Sequence, residues 1–295
     1  MNVSRFLHFL FSVTATFACM QAQAQLPQPL TDYEKAANIV YGKVGERELL
    51  LDTYIPTDAN AQSPLLVWVH GGAWRSMDKE RVPILSFLDH GYAVASIDFR
   101  LSGEAPFPAQ VHDIKAAVRY LRANADAYDP NKIVLVGASS GGHLAAIAGV
   151  TNGNEALEGD IGDFLEVSSQ VQAIVSYFGA SNLTTILSQS TPHGLSVRIP
   201  SLDMFLGGQP EDMVEVAKLA SPVFHVDAND PPLHLIHGDQ DPKMPINQSH
   251  ELHNAYKQAG VAVRFDVVHG GEHSGPAFWD EIRGNLVRDF LSENL

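Results

Sequence analysis

The chain has 295 residues, 45% of them hydrophobic, with 34 acidic against 19 basic side chains and a formal net charge of −15. Such a balance gives no sign of the extended basic face that nucleic-acid binding needs, and an anionic bilayer would repel it. The single cysteine, Cys19, lies in a segment expected to be removed, so no disulfide, cysteine nucleophile or thiolate metal site is expected in the mature chain.

That segment comes first. Arg5 is its only charge, residues 6–20 are mostly apolar, and Ala22-Gln23-Ala24 has the small-x-small form of a signal-peptidase site. Residues 1–24 read as a secretory signal, which places the mature protein outside the cytoplasm, secreted or periplasmic. The apolar run is too short and too interrupted, by His8, for a stable membrane span. Residues 25–295 are enough for one α/β domain.

Along that domain, near-continuous apolar runs alternate with helical patterns. "PLLVWVH" (64–70) and "GYAVASIDFR" (91–100) read as buried strands, and Val111, Ile114, Val118 and Leu121 place an amphipathic helix over 109–125. "NKIVLVG" (131–137), "VQAIVSYFG" (171–179), "PPLHLIHGD" (231–239) and "VAVRFDVVHG" (261–270) continue the strands. A helix around 246–259 separates the last two, and Phe278, Trp279, Ile282, Leu286, Phe290 and Leu291 stripe a terminal helix. Apolar strands spaced by helices imply a mostly parallel sheet covered on both faces. Residues 181–222 break the rhythm with scattered Ser, Pro and Gly, as expected of a small cap insertion.

Gly137-Ala138-Ser139-Ser140-Gly141 fits G-x-S-x-G where a strand turns into a helix. A serine hydroxyl is a weak nucleophile and must project toward a base from a sharp turn, which needs small neighbours two residues away on each side. Ser139 has glycine at both positions, whereas Ser140 has Ala138 and Gly142, so Ser139 is the expected nucleophile. Ser140 then opens the helix, with its backbone N–H available to a developing oxyanion. "HGGAW" (70–74) follows the 64–70 strand, and its small residues let backbone N–H groups face a cavity. Two later strand-end loops hold Asp239 and Asp241 ("HGDQDPKMP") and His269 and His273 ("HGGEHSGP"). The order Ser…Asp…His is that of α/β-hydrolases. Asp241 lies deeper in its loop than Asp239, and His273 lies in the glycine loop whereas His269 closes the strand. Asp241 and His273 are therefore expected to complete a triad. His143 reads as packing, and His237 beside the two aspartates lacks a third clustered ligand, so no metal is expected.

On these residues the chain resembles α/β-hydrolase esterases of the bacterial hormone-sensitive-lipase-like group, and within it the BD-FAE branch of feruloyl-esterase-like proteins. "DFRLS" (98–102) and "FPAQVHDIKAAVRYLRANA" (107–125) carry the resemblance further along the chain. The resemblance implies hydrolysis of small carboxylic esters through an acyl-enzyme without a cofactor, on short acyl groups such as acetyl or hydroxycinnamoyl. It also implies that Gly72 and Ala73 supply oxyanion N–H groups. Ala73 stands where the family has a third glycine, and its methyl, with the adjacent Trp74, is expected to narrow an acyl pocket. Two other functions fit the same motifs: an amide hydrolase of the kynurenine-formamidase type, and a non-catalytic binding protein on a hydrolase fold.

Overall fold

The computed structural model describes residues 28–295, so the expected signal 1–24 and Cys19 lie outside the described residues. The sheet has eight strands: β1 (Tyr33–Val44), β2 (Arg47–Pro56), β3 (Leu65–Val69), β4 (Ala93–Ile97), β5 (Ile133–Ala138), β6 (Ala173–Tyr177), β7 (Leu233–Gly238) and β8 (Val263–Val268). Their spatial order is β1-β2-β4-β3-β5-β6-β7-β8. β2 runs antiparallel to both its neighbours, and every pair from β4 and β3 onward to β8 is parallel. The expected mostly parallel α/β-hydrolase sheet is what the chain forms.

Alternation along the strands sorts side chains onto two faces. Leu65, Val67 and Val69 of β3 join one core cluster, with Ile133 and Leu135 of β5. That face is covered by α1 (Ala109–Ala123), α2 (Ser140–Gly149) and α7 (Asn247–Ala259). Leu66 and Trp68, with Val134 and Val136, join the other, beneath a 3-10 segment over Leu85–His90 and α8 (Glu281–Asn294). Each fully buried aliphatic side chain here contributes about 1.5–3 kcal/mol. The motif residues Arg100 and Asp113 form a bidentate pair, Nη2 to Oδ1 at 2.7 Å and Nε to Oδ2 at 2.9 Å, which fastens α1 to the loop after β4.

Two strands went unseen in the sequence, β1 and β2. β1 is exposed along nearly its whole length and buries only Tyr41 and Gly42, and bulges interrupt its pairing with β2, so it shows no apolar run. The segment 181–222 carries α4 (Ile186–Gln189), α5 (Pro192–Leu206) and α6 (Val214–Leu219). α5 starts on Pro192, with Thr191 accepting from the Gly194 N–H as its cap, and ends at Gly207 in the left-handed region.

Candidate active site

β5 ends at Ala138 and α2 starts at Ser140, so one residue, Ser139, makes the whole corner. Its backbone sits at φ 57°, ψ −123°, a conformation that costs a non-glycine residue about 1–3 kcal/mol. Packing enforces it. A Cβ on Gly137 would stand 2.2 Å from the Gly141 carbonyl oxygen, and one on Gly141 would stand 2.1 Å from that of Val69. Those two glycines let α2 leave the sheet edge at this angle. The Ser139 N–H donates to the Tyr177 carbonyl at 2.9 Å, and the Ser139 carbonyl accepts from the His143 N–H at 3.1 Å.

The half-buried hydroxyl projects toward the loop after β8. Ser139 Oγ lies 2.9 Å from His273 Nε2, and His273 Nδ1 lies 2.6 Å from Asp241 Oδ2. Asp241 is itself held. Its Oδ1 accepts from the N–H groups of Lys243 and Met244, both at 2.8 Å, and His237 Nε2 stands 3.4 Å from Oδ2. Burial raises the Asp241 carboxyl, but contacts with His237 and His273 outweigh it and hold the group well below the usual carboxylate range. Burial lowers the His273 imidazole below its ordinary value; Asp241 opposes that shift, and the charges of Arg198 and Lys243 reinforce it. That net shift favours the neutral imidazole, the state a base requires.

Asp239 and His269 pair with each other instead. His269 Nδ1 is 2.9 Å from Asp239 Oδ2, and the Gly270 N–H donates to Asp239 Oδ1 at 2.8 Å. The pair lies at the surface and ties the ends of β7 and β8 together. His237 spends both ring nitrogens on the same region, with Ser249 Oγ at 2.7 Å and the Met244 carbonyl at 3.0 Å.

The loop after β3 bends through three consecutive residues of positive φ: Gly72 (101°), Ala73 (54°) and Trp74 (61°). Among the described residues, no hydrogen bond is donated by the backbone N–H of Gly72 or Ala73. Ser140 opens α2, where the first N–H groups have no helical acceptor. A cavity of about 450 Å³ opens here, lined by Gly72, Ala73, Ser139 and His273 together with Trp68, Phe178 and Trp279. Ser140 itself is fully buried, and among the described residues its hydroxyl has no partner.

Trp74 corrects an expectation. It does not line the cavity; its side chain is fully buried, stacked on Phe205 of α5 with ring centroids 4.8 Å apart. Its Nε1–H donates to His143 Nδ1 at 3.0 Å, and His143 Nε2 donates to the Ala220 carbonyl at 2.7 Å. Burial pushes the His143 imidazole down to about 4, which keeps this relay neutral. An indole next to the loop that borders the cavity has two ways to hide its large apolar surface. Here the left-handed turn at Ala73 and Trp74 sends it inward, against α2 and α5, where its N–H finds an acceptor. The sequence reading also passed over Arg198 on α5, which lines the cavity although it is only 1% exposed.

The BD-FAE family model matches residues 51–256. The chain belongs to the BD-FAE family. Esterase LipQ of Mycobacterium tuberculosis is similar to it, 32% identical over 279 residues, which is 92% of this chain and 64% of LipQ. A truncated carbohydrate esterase from gut microbiota superposes with a TM-score of 0.80 at 34% identity, covering 91% of this chain and 99% of that one. Butyrate-bound esterase 2 of Thermogutta terrifontis superposes with a TM-score of 0.70 at 26% identity, covering 89% and 94%. The chain spans 54–64% of the length of the curated relatives it matches.

Proposed function

We propose that this BD-FAE protein is a serine hydrolase of small carboxylic esters that works through an acyl-enzyme. The observation that carries the reading is the unbroken line from Ser139 Oγ through His273 to Asp241, at 2.9 and 2.6 Å, on the wall of a cavity. The names of its relatives, esterases of similar sequence and shape, support the same reaction class.

In this scheme His273 Nε2 takes the Ser139 proton as Oγ adds to the ester carbonyl carbon. The carbonyl oxygen becomes negative and meets the N–H groups of Gly72, Ala73 and Ser140. One such donor is worth about 3–4 kcal/mol of barrier. The tetrahedral centre collapses, the bond to the alkoxy oxygen breaks, and the alcohol departs with the proton held on His273. Water then adds to the acyl-serine, giving its proton to His273 Nε2. Collapse of this second adduct releases the carboxylic acid and returns the proton to Ser139. Asp241 stays ionised and holds Nδ1–H, so that Nε2 faces the serine. Trp74 acts at one remove. Its burial fixes the left-handed turn that aims the Gly72 and Ala73 N–H groups.

A cavity of about 450 Å³ has the size of a small-molecule site, and the butyrate bound by the Thermogutta enzyme supports short acyl groups as its content. The signal-like residues 1–24 support action outside the cytoplasm. The test of the reaction is p-nitrophenyl acetate turnover by the wild type and by Ser139→Ala. The variant should lose about 10⁴-fold or more in kcat. Wild-type-like turnover in folded Ser139→Ala would remove the proposal.

A further inference from the structure

In a chain of net charge −15, four cations among the described residues line the cavity, Arg75, Arg81, Arg198 and Lys243, and no described aspartate or glutamate does. Among the described residues none of the four forms an ion pair; those of the other lysines and arginines lie elsewhere. Three are exposed and can be solvated where they stand. Arg198 cannot. It is 1% exposed, it lies 6.0 Å above the Trp74 ring, and its Nη2 donates to the Lys243 carbonyl at 2.9 Å, with Met244 Sδ at 3.8 Å. Its Nε is buried and, among the described residues, has no partner. Asp241 is the acid whose charge it feels, but no Asp241 oxygen comes within ion-pairing distance, and both are already held by Lys243, Met244 and His273. Burial pushes the guanidinium down to about 10, so it remains charged at neutral pH.

A buried charge without a counter-charge is destabilising and persists where a ligand supplies the missing partner. Clamping α5 to the loop at Lys243 requires only one neutral donor. It accounts neither for a full guanidinium nor for three more cations around a cavity without acids.

We propose that the cavity selects esters bearing a second, fixed carboxylate, which Arg198 receives while Arg75, Arg81 and Lys243 draw the anion in. This rests on the ester-hydrolase reading and names its substrate class. A planar guanidinium with unused donor capacity matches a carboxylate, and a field of one sign in a low-dielectric cleft concentrates ligands of the other sign. The carboxylate can sit on the acyl half, as in a dicarboxylic half-ester, or on the alcohol half, as in an acylated hydroxy acid or uronic acid.

The experiment compares two near-isosteric pairs: monoethyl glutarate with ethyl glutaramate, and 4-acetoxybenzoate with 4-acetoxybenzamide. In at least one pair kcat/KM should favour the carboxylate by about tenfold to a hundredfold, the range of one charge-assisted hydrogen bond. The pair that responds identifies the half that carries the charge. In Arg198→Gln that preference should fall at least severalfold, Arg198→Lys should keep part of it, and raised salt should shrink it. Should Arg198→Gln not fold, the exposed pair Arg75→Gln and Arg81→Gln should lower the preference in a folded protein. No preference for either carboxylate while the amides are cleaved overturns the proposal, as does a preference that folded Arg198→Gln leaves unchanged. Cleavage of none of the four esters while p-nitrophenyl acetate is turned over overturns this proposal alone; with p-nitrophenyl acetate also untouched, the hydrolase reading falls with it.

Discussion

Ser139 and Ser140 are neighbours in sequence but not in chemistry. Ser139 Oγ stands 2.9 Å from His273 Nε2, whereas the Ser140 hydroxyl is buried and, among the described residues, has no partner. Ser140→Ala removes an unsatisfied group and leaves the backbone N–H in place. It should therefore keep most activity and lose no stability, as measured by ester turnover and a urea midpoint. Ser139→Gly makes a different point. Glycine adopts φ 57°, ψ −123° without strain, so this inactive variant should gain about 1 kcal/mol of stability over Ser139→Ala. A urea midpoint no higher than that of Ser139→Ala would mean the corner is unstrained. Asp241→Asn should cost about 10⁴ in kcat, because an amide there favours the wrong imidazole tautomer. Asp239→Asn touches only the surface pair with His269 and should cost little. Equal losses in the two variants would contradict the assignment. The His273 imidazole must be neutral to accept the serine proton, and its folded value lies below 6.5. Activity should therefore rise with pH through an inflexion below 6.5 and stay level at pH 7–8. An inflexion above 7 would place another group in control.

At the scale of elements, the loop after β3 shows what a motif conveys and what it does not. "HGGAW" announces backbone donors at a strand end, and Gly72 and Ala73 do border the cavity. It does not announce where the indole goes, because that depends on α2 and α5, which come from far along the chain. The acceptor for Trp74 Nε1 is 69 residues away. Trp74→Phe should keep the stacking on Phe205 and leave the His143 acceptor bare, costing about 1–3 kcal/mol of stability. Because the donors would drift, kcat should fall more than KM changes, which steady-state kinetics would show. Ala73 does border the cavity, at φ 54°. Ala73→Gly should ease the backbone and widen the acyl range, with octanoyl p-nitrophenyl esters gaining on acetyl and butyryl ones. A wild type that prefers octanoyl or longer chains would show a cavity more open than the structure gives. Arg198 stayed hidden for the same reason as Trp74. An arginine in a Ser- and Pro-rich segment reads as solvated until α5 is seen folded over the cavity.

On the scale of the whole molecule, sheet order converts distant loops into one site. β3, β5, β7 and β8 deliver Gly72, Ser139, Asp241 and His273 to the same edge, and the serine and histidine meet across 134 residues. β3 to β7 were legible because burial on both faces leaves near-continuous apolar runs, and the half-buried edge strand β8 by its valines and phenylalanine. β1 was not, since an exposed, bulged edge strand has no such pattern; β2, an inner antiparallel strand with Leu49, Leu51 and Tyr54 buried, carries an apolar stretch and was missed all the same. The export proposal belongs to this scale too: protein recovered from outside the cytoplasm should begin at Gln25, as intact mass would show, whereas a lipid-modified Cys19 at its start would mean a membrane anchor. The central claim, that Ser139 is the nucleophile of an ester hydrolase, has a direct measurement. A p-nitrophenyl alkylphosphonate transfers its phosphonyl group to an activated serine and releases one p-nitrophenolate. Peptide mass mapping after inactivation should find one phosphonyl group per chain, on Ser139, and none in Asp241→Asn over the same interval. Phosphonylation of Ser140 instead, or full ester turnover by protein that never takes up the group, would contradict the account.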